Sequence, residues 1–158
     1  DNMVARPEMR DQNRLRVFGD VSVLSPELQK LIEETNELSG QIEGFQANLC
    51  INYGGRDEII RAAERYSNDV IMGKYEGDLT EEAFSGYIYS AGIPDPDLLI
   101  RPGGELRISN FLLWQCAYAE FVFPKVLWPD FTLADYHACL ASFQKRSRRF
   151  GGRERDDE

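Results

Sequence analysis

The sequence predicts an α/β fold with a mostly parallel central sheet flanked by helices. Three observations carry that expectation. Apolar runs of strand length alternate with segments of helical periodicity, an order that calls for parallel pairing through crossover helices. Glycine pairs, Gly54-Gly55 and Gly103-Gly104, stand directly after two of those runs, as tight strand-to-helix turns require. The chain has 158 residues, 42% of them hydrophobic and 28% charged, which suits one buried core without a disulfide or metal staple.

The elements follow in order. Leu15 to Asp20 reads as a short strand ending in a turn. Ser25-Pro26-Glu27 opens a helix: serine caps, proline suits the first helical position and the acid favours the N-terminal dipole. Leu28, Leu31, Ile32, Thr35 and Leu38 are its expected buried stripe, and Gly40 its stop. Phe45 to Tyr53 is the next strand, followed by a helix from about Arg56 to Asn68 with Ile59, Ile60, Ala63 and Tyr66 inward. Thr80 caps a helix through Tyr89, and Asp97 to Arg101 is a strand of the fully buried kind. Phe111 to Cys116 is expected as a short apolar helix, Glu120 to Phe123 as the last strand. Thr132 caps the final helix, with Leu133, Tyr136, Leu140 and Phe143 at core spacing. An open sheet of about four strands leaves two exposed edges, and residues 1–14 supply no first strand. The expectation is therefore that residues 1–152 are the C-terminal portion of a single domain, truncated at the N-terminus, with a polar tail at 153–158; a small complete domain is the alternative.

Charge narrows the function. The net charge is −9, which argues against a free-standing nucleic-acid binder. Residues 144–158 nevertheless carry six basic and four acidic side chains, so any anion site is a local cluster of arginines in an acidic body. No apolar run reaches membrane-spanning length, and Asp1 to Arg6 lacks the apolar core of a signal peptide. The expected location is cytoplasmic. Cys50, Cys116 and Cys139 are expected as buried free thiols, and the single histidine, His137, excludes a histidine-rich metal site.

In open parallel sheets ligands sit at the carboxyl ends of strands. The segment Arg101-Pro102-Gly103-Gly104-Glu105-Leu106-Arg107-Ile108-Ser109-Asn110 stands at such an end. Arginine forks match pairs of phosphate oxygens, and glycines allow close approach of backbone N–H groups. A helix start after the loop would add its dipole. This chemistry suits a diphosphate; an Arg–Glu105 surface pair is the bland alternative. Glu120, among Tyr118, Ala119 and Phe121, needs a partner, and both an arginine and Mg²⁺ are open for that role. Asn52-Tyr53-Gly54-Gly55-Arg56 is a second glycine turn, without the lysine and hydroxyl of a phosphate-binding P-loop. The basic run Lys145-Arg146-Ser147-Arg148-Arg149 reads as a solvated helix end or an anion-reaching arm.

These residues resemble a known family. Asn52-Tyr53-Gly54-Gly55-Arg56-x-Glu58-Ile59, the long run from Pro94 to Gln115, Tyr118-Ala119-Glu120-Phe121, Trp128-Pro129-Asp130-Phe131 and Arg148-Arg149-Phe150-Gly151-Gly152 look like the cis-prenyltransferases, and within them the bacterial undecaprenyl diphosphate synthases. The likeness runs from about Arg14 to Gly152. It implies an α/β homodimer that uses Mg²⁺ to condense isopentenyl diphosphate onto farnesyl diphosphate with cis double bonds, and whose lipid product passes to the membrane. By motif position, Arg101, Arg107, Ile108 and Ser109 would bind the diphosphate of isopentenyl diphosphate, Glu120 would help hold Mg²⁺, and Arg149 and Gly151, in the match to the family's C-terminal Arg-x-Gly, would also bind substrate. The family's N-terminal aspartate–glycine–asparagine–glycine–arginine motif has no counterpart in the sequence, so no catalytic residue is identified and the chain alone is expected to be inactive. A non-catalytic subunit of a two-component prenyltransferase is the alternative; it need not keep the arginine–serine loop or Glu120.

Overall fold

In the computed structural model, residues 13–40 and 44–146 are described. The chain divides into two compact units, Asp1–Gly92 and Ile93–Glu158.

The first unit opens with β1 (Asn13–Phe18), which pairs in parallel with β2 (Phe45–Cys50), Asn13 opposite Phe45 and Phe18 opposite Cys50. Between them runs α1 (Pro26–Ser39), the crossover helix that parallel pairing demands. Its start is as the sequence predicts: Ser25 Oγ accepts the Leu28 N–H and Pro26 takes the first position. The turn after β1 explains a glycine. Gly19 has φ +119° and a side chain there would strike the Ile51 carbonyl. α2 (Gly55–Ile71) follows β2, and α3 (Glu81–Ser85) closes the unit's set of helices.

The second unit holds β3 (Leu98–Ile100) and β4 (Glu120–Val122), again parallel, with Leu98 opposite Glu120 and Ile100 opposite Val122. Then comes α4 (Leu133–Gln144), opened by a reciprocal capping box between Thr132 and Asp135. Both strand pairs are parallel and helices follow β1, β2 and β4, so the α/β class stands, although no α-helix separates β3 from β4.

Several expectations need correction. β1 is shifted two residues towards the N-terminus, to Asn13–Phe18, and β2 is shorter than expected, stopping at Cys50, because the turns at Gly19 and Asn52 leave the extended region. The helix expected through Tyr89 ends at Ser85, where Gly86 caps it. No helix forms over Phe111 to Cys116; that stretch is a series of turns. Ser109, Asn110 and Leu112 all have positive φ, which a right-handed helix does not accommodate. The apolar stripe of α1 is buried only at Ile32; Leu31 and Leu38 are exposed at 57% and 68%. In α2 the buried line is Gly55, Glu58 and Ala62, one step round from the expected Ile59, Ile60, Ala63 and Tyr66; Ile60 and Ala63 face outward. On α4 the buried residue is Cys139, while Leu133 and Tyr136 are exposed. The cores are compact: Phe18, Ile32, Ala62, Phe84 and Ile88 in the first unit, Leu99, Cys116 and Cys139 in the second. All three cysteines are free; Cys116 and Cys139 are buried and Cys50 half-buried. Among the described residues no helix is long and apolar enough to cross a membrane.

Candidate functional site

β3 ends at Ile100, and the chain leaves it into the predicted loop. Arg101 is tied to β4 by its N–H to the Val122 carbonyl at 3.0 Å. Its guanidinium folds over the loop: Nη1 donates to the Arg107 carbonyl at 2.7 Å and to Ser109 Oγ at 2.9 Å. One planar fork therefore gathers three of the sequence-predicted residues around a single nitrogen. Ile108 lies between them in the chain, and its carbonyl accepts the Phe111 N–H at 3.0 Å, closing the turn over Ser109 and Asn110. The side chain of Arg107 is exposed and ion-paired with Glu105. The bland Arg–Glu105 pair and the arginine–serine cluster are thus both present, on different arginines.

The glycines do a different job from the one expected. Gly103 N–H donates to the carbonyls of Pro124 and Val126, and Gly104 N–H to that of Pro124. Those donors are spent on the chain after β4, not held out for a ligand. Gly103 and Gly104 have φ +103° and +71°, and a side chain on Gly104 would lie 3.5 Å from Lys125. Their role is to let the loop turn sharply and lie against the β4 exit. With no helix at Phe111, the helix-dipole contribution to anion binding falls away too. What remains for an anion is side-chain chemistry: Arg101 and Arg107, half-buried and exposed, and the Ser109 hydroxyl.

Glu120 stands apart from this cluster. It opens β4 opposite Leu98, while the arginine loop follows Ile100. Three register steps separate Glu120 from the level of Arg101, roughly 10 Å of strand. Its carboxylate Oε2 accepts Arg146 Nη1 at 2.9 Å, the arginine partner that the sequence left open. A carboxylate is a hard oxygen donor of the kind Mg²⁺ takes, so Glu120 fits such an ion as one ligand. The described residues contain no group of three His, Cys, Asp or Glu side chains able to hold a metal, so the remaining ligands would be water and substrate phosphate oxygens or come from outside these residues. Arg149 and Gly151 lie outside the described residues.

Sequence reasoning missed the use of Arg146, because 26 residues separate it from Glu120 and a basic helix end reads as solvated. It also missed Glu58. That side chain is fully buried in the first unit, accepting the Tyr53 hydroxyl at 2.5 Å and the Tyr89 N–H at 2.8 Å. Its signal was its position three residues after Gly55 in the glycine turn. The turn itself is a structural connection: Asn52 has φ 47° and its side-chain amide donates to the Asp20 carbonyl at 2.9 Å.

Comparison with known proteins sets this geometry in a lineage. A family model described as "Putative undecaprenyl diphosphate synthase" matches residues 2–151. An isoprenyl transferase of Clostridium perfringens is 45% identical over 140 residues, 88% of this chain and 55% of the relative. A tritrans,polycis-undecaprenyl-diphosphate synthase (geranylgeranyl-diphosphate specific) of Thermoplasma volcanium is 43% identical over 143 residues, 90% of this chain and 55% of the relative. The chain thus spans about half the length of these relatives. The solved lavandulyl diphosphate synthase of Lavandula x intermedia, in complex with dimethylallyl diphosphate, superposes with TM-score 0.84 at 38% identity, covering 94% of this chain and 63% of that one.

Proposed function

The chain belongs to the undecaprenyl diphosphate synthase family of prenyltransferases, and from that premise we propose that it forms part of an enzyme that condenses isopentenyl diphosphate with farnesyl diphosphate into a long cis-polyprenyl diphosphate. The observation that carries the reading is the Arg101 fork, which holds Ser109 and the Arg107 backbone in one cluster at the carboxyl end of β3. That cluster brings the Arg101 guanidinium and the Ser109 hydroxyl together, and the exposed Arg107 guanidinium stands on the same loop, donors of the kind a diphosphate needs.

The division of labour follows from the geometry. Arg101 is pre-ordered by its own loop, so it offers its remaining N–H groups to an anion at little further cost in side-chain entropy. Arg107, exposed and paired with Glu105, exchanges that carboxylate for phosphate oxygens. Ser109 donates its hydroxyl while accepting from Arg101. In the reaction the allylic carbon–oxygen bond breaks, diphosphate leaves with the bonding electrons, the terminal alkene carbon of isopentenyl diphosphate forms the new carbon–carbon bond, and a proton is lost. Magnesium, held in part by Glu120, would neutralise charge on the departing diphosphate. The described residues bind and orient; none is assigned the proton.

The same reading extends to a homodimer, to a cytoplasmic protein peripheral to the membrane that receives its product, and to no role in nucleic-acid binding, which the net charge of −9 supports. The activity is proposed for a polypeptide that holds these residues together with the part of the relatives' length that the match does not span. The test is transfer of labelled isopentenyl diphosphate onto farnesyl diphosphate with Mg²⁺, comparing the 158-residue chain with the longest gene product that contains it. Long-chain lipid from the longer product supports the reading. No lipid from either favours the non-catalytic subunit, and Arg107→Ala then shows whether the loop binds the diphosphate at all: a loss of at least tenfold in affinity, about 1.4 kcal/mol, is expected.

A further inference from the structure

Arg146 stands two residues past the end of α4 and reaches back to β4. Its Nη1 donates to Glu120 Oε2 at 2.9 Å and to the Phe121 carbonyl at 2.9 Å. A single guanidinium nitrogen thus satisfies a carboxylate oxygen and a neighbouring carbonyl oxygen. Those are two oxygens of the class a hard divalent cation selects. The two side chains are 37% and 29% exposed, so water and ions reach the pair. The backbone on the carboxylate side is fixed, since Glu120 N–H donates to the Asp97 carbonyl at 3.0 Å within the parallel ladder. The arginine side is a long, rotatable chain beyond a helix end.

We infer that Arg146 is the resident counter-cation of Glu120, and that a divalent cation takes up Oε2 of this carboxylate only by displacing it. The inference rests on the reading of Glu120 as a metal ligand. Guanidinium and metal ion then define two exclusive states. In one, Arg146 neutralises Glu120 and ties the end of α4 to β4. In the other, the ion takes over the carboxylate and Arg146 is released with its donors unspent. The half-buried carboxylate is never left without a positive partner, a state that would be costly. The arrangement lowers metal affinity by the strength of the pair it replaces, and makes retention of the ion depend on the ligands that substrate brings. Arg146 is accordingly a positioning residue for Glu120 and not a ligand to substrate.

The test uses Mn²⁺ as the probe, titrated against the full chain with the free-ion electron paramagnetic resonance signal as readout. Glu120→Gln should lose Mn²⁺ affinity. Arg146→Gln should gain it by about threefold or more, the scale of a partly exposed ion pair. Arg146→Lys, which restores a competing cation, should stay within about twofold of the parent on the same scale. Lys145→Gln removes an equal charge one residue away and should leave affinity unchanged. Melting curves of each variant confirm folding, and Arg146→Met serves if Arg146→Gln does not fold. If Glu120→Gln weakens binding while Arg146→Gln matches Lys145→Gln, the displacement model is overturned and the metal reading survives. If Glu120→Gln binds as the parent does, the metal reading of Glu120 falls, and the displacement model with it.

Discussion

Glu58 and Tyr89 are joined across 31 residues of sequence by a 2.8 Å hydrogen bond from the Tyr89 N–H to the Glu58 carboxylate. The other carboxylate oxygen takes the Tyr53 hydroxyl at 2.5 Å, and the Arg61 guanidinium lies 3.7 Å from the centre of the Tyr89 ring. A fully buried acid thereby links the glycine turn after β2 to the segment that follows α3. The purpose is architectural: it fixes two loops that have no strand or helix of their own to hold them.

Glu58→Ala should cost about 2–4 kcal/mol of unfolding free energy, because it leaves buried donors without their acceptor. Glu58→Gln keeps the shape and one acceptor oxygen, and should cost less than about 1.5 kcal/mol. Urea unfolding followed by tyrosine fluorescence decides between them. Equal losses for the two variants would mean that the full carboxylate, with both acceptor oxygens, sets the stability and that side-chain volume adds nothing.

In the arginine loop, Arg101→Lys should be nearly as damaging to isopentenyl diphosphate binding as Arg101→Ala. Lysine presents a point charge and no planar fork, so it cannot hold Ser109 and the Arg107 carbonyl while still facing an anion. Ser109→Ala removes one acceptor from that fork and should weaken binding about three- to tenfold, one modest hydrogen bond's worth. Isothermal titration with isopentenyl diphosphate measures both. Full affinity in Arg101→Lys would reduce the role of Arg101 to charge alone.

The capping box of α4 carries a pH signature. Hydrogen bonds from the Thr132 hydroxyl and N–H lower the Asp135 pKa in the folded chain. A carboxyl lowered on folding contributes stability that is complete above its unfolded value of about 3.9 and fades as pH falls through the lower folded value. The Tm difference between the parent and Asp135→Ala should therefore be constant at neutral pH and shrink below about pH 3.9. A difference that holds steady to pH 2 would assign the effect to helix propensity.

The thiols should be slow. Burial is the leading cause that raises the pKa of each of Cys50, Cys116 and Cys139, with nearby Glu58, Asp95 and Asp135 adding to it in turn. At neutral pH the thiolate fraction is small, and Cys116 and Cys139 are also shielded. Labelling of the native chain by a disulfide reagent should begin at Cys50 and accelerate with pH. Rapid labelling of Cys139 would show that α4 opens readily in the native state.

Much of this was legible in the sequence, for reasons that differ by element. Ser25-Pro26 and Thr132 fixed two helix starts because capping is local chemistry, written within three residues of the site. The alternation of short apolar runs with helices led to parallel pairing. The arginine loop was legible as a cluster because its members are close in sequence. The failures share a cause in tertiary context. Periodicity could not tell that Glu58 occupies the buried line of α2, since an acid counts as polar until its donors are known. Nor could it show that the Phe111 stretch abandons the helix, because an asparagine or serine at positive φ leaves no mark on a hydrophobic pattern. The expected use of Gly103 and Gly104 failed for a related reason: composition reveals that a backbone is free to approach something, but not whether that partner is a ligand or the carbonyl of Pro124.

The tie between Arg101 and Ser109 spans only eight residues. Closing a segment of about ten residues takes on the order of 10–100 ns. A typical enzyme turns over near 10 times per second. A tie of that length can break and remake very many times within one such turnover, while the β3–β4 ladder is held by its own hydrogen bonds. For the diphosphate proposed to bind here, the pre-ordering of Arg101 would therefore act through the equilibrium between the tied and untied loop, and not through the speed of its closure.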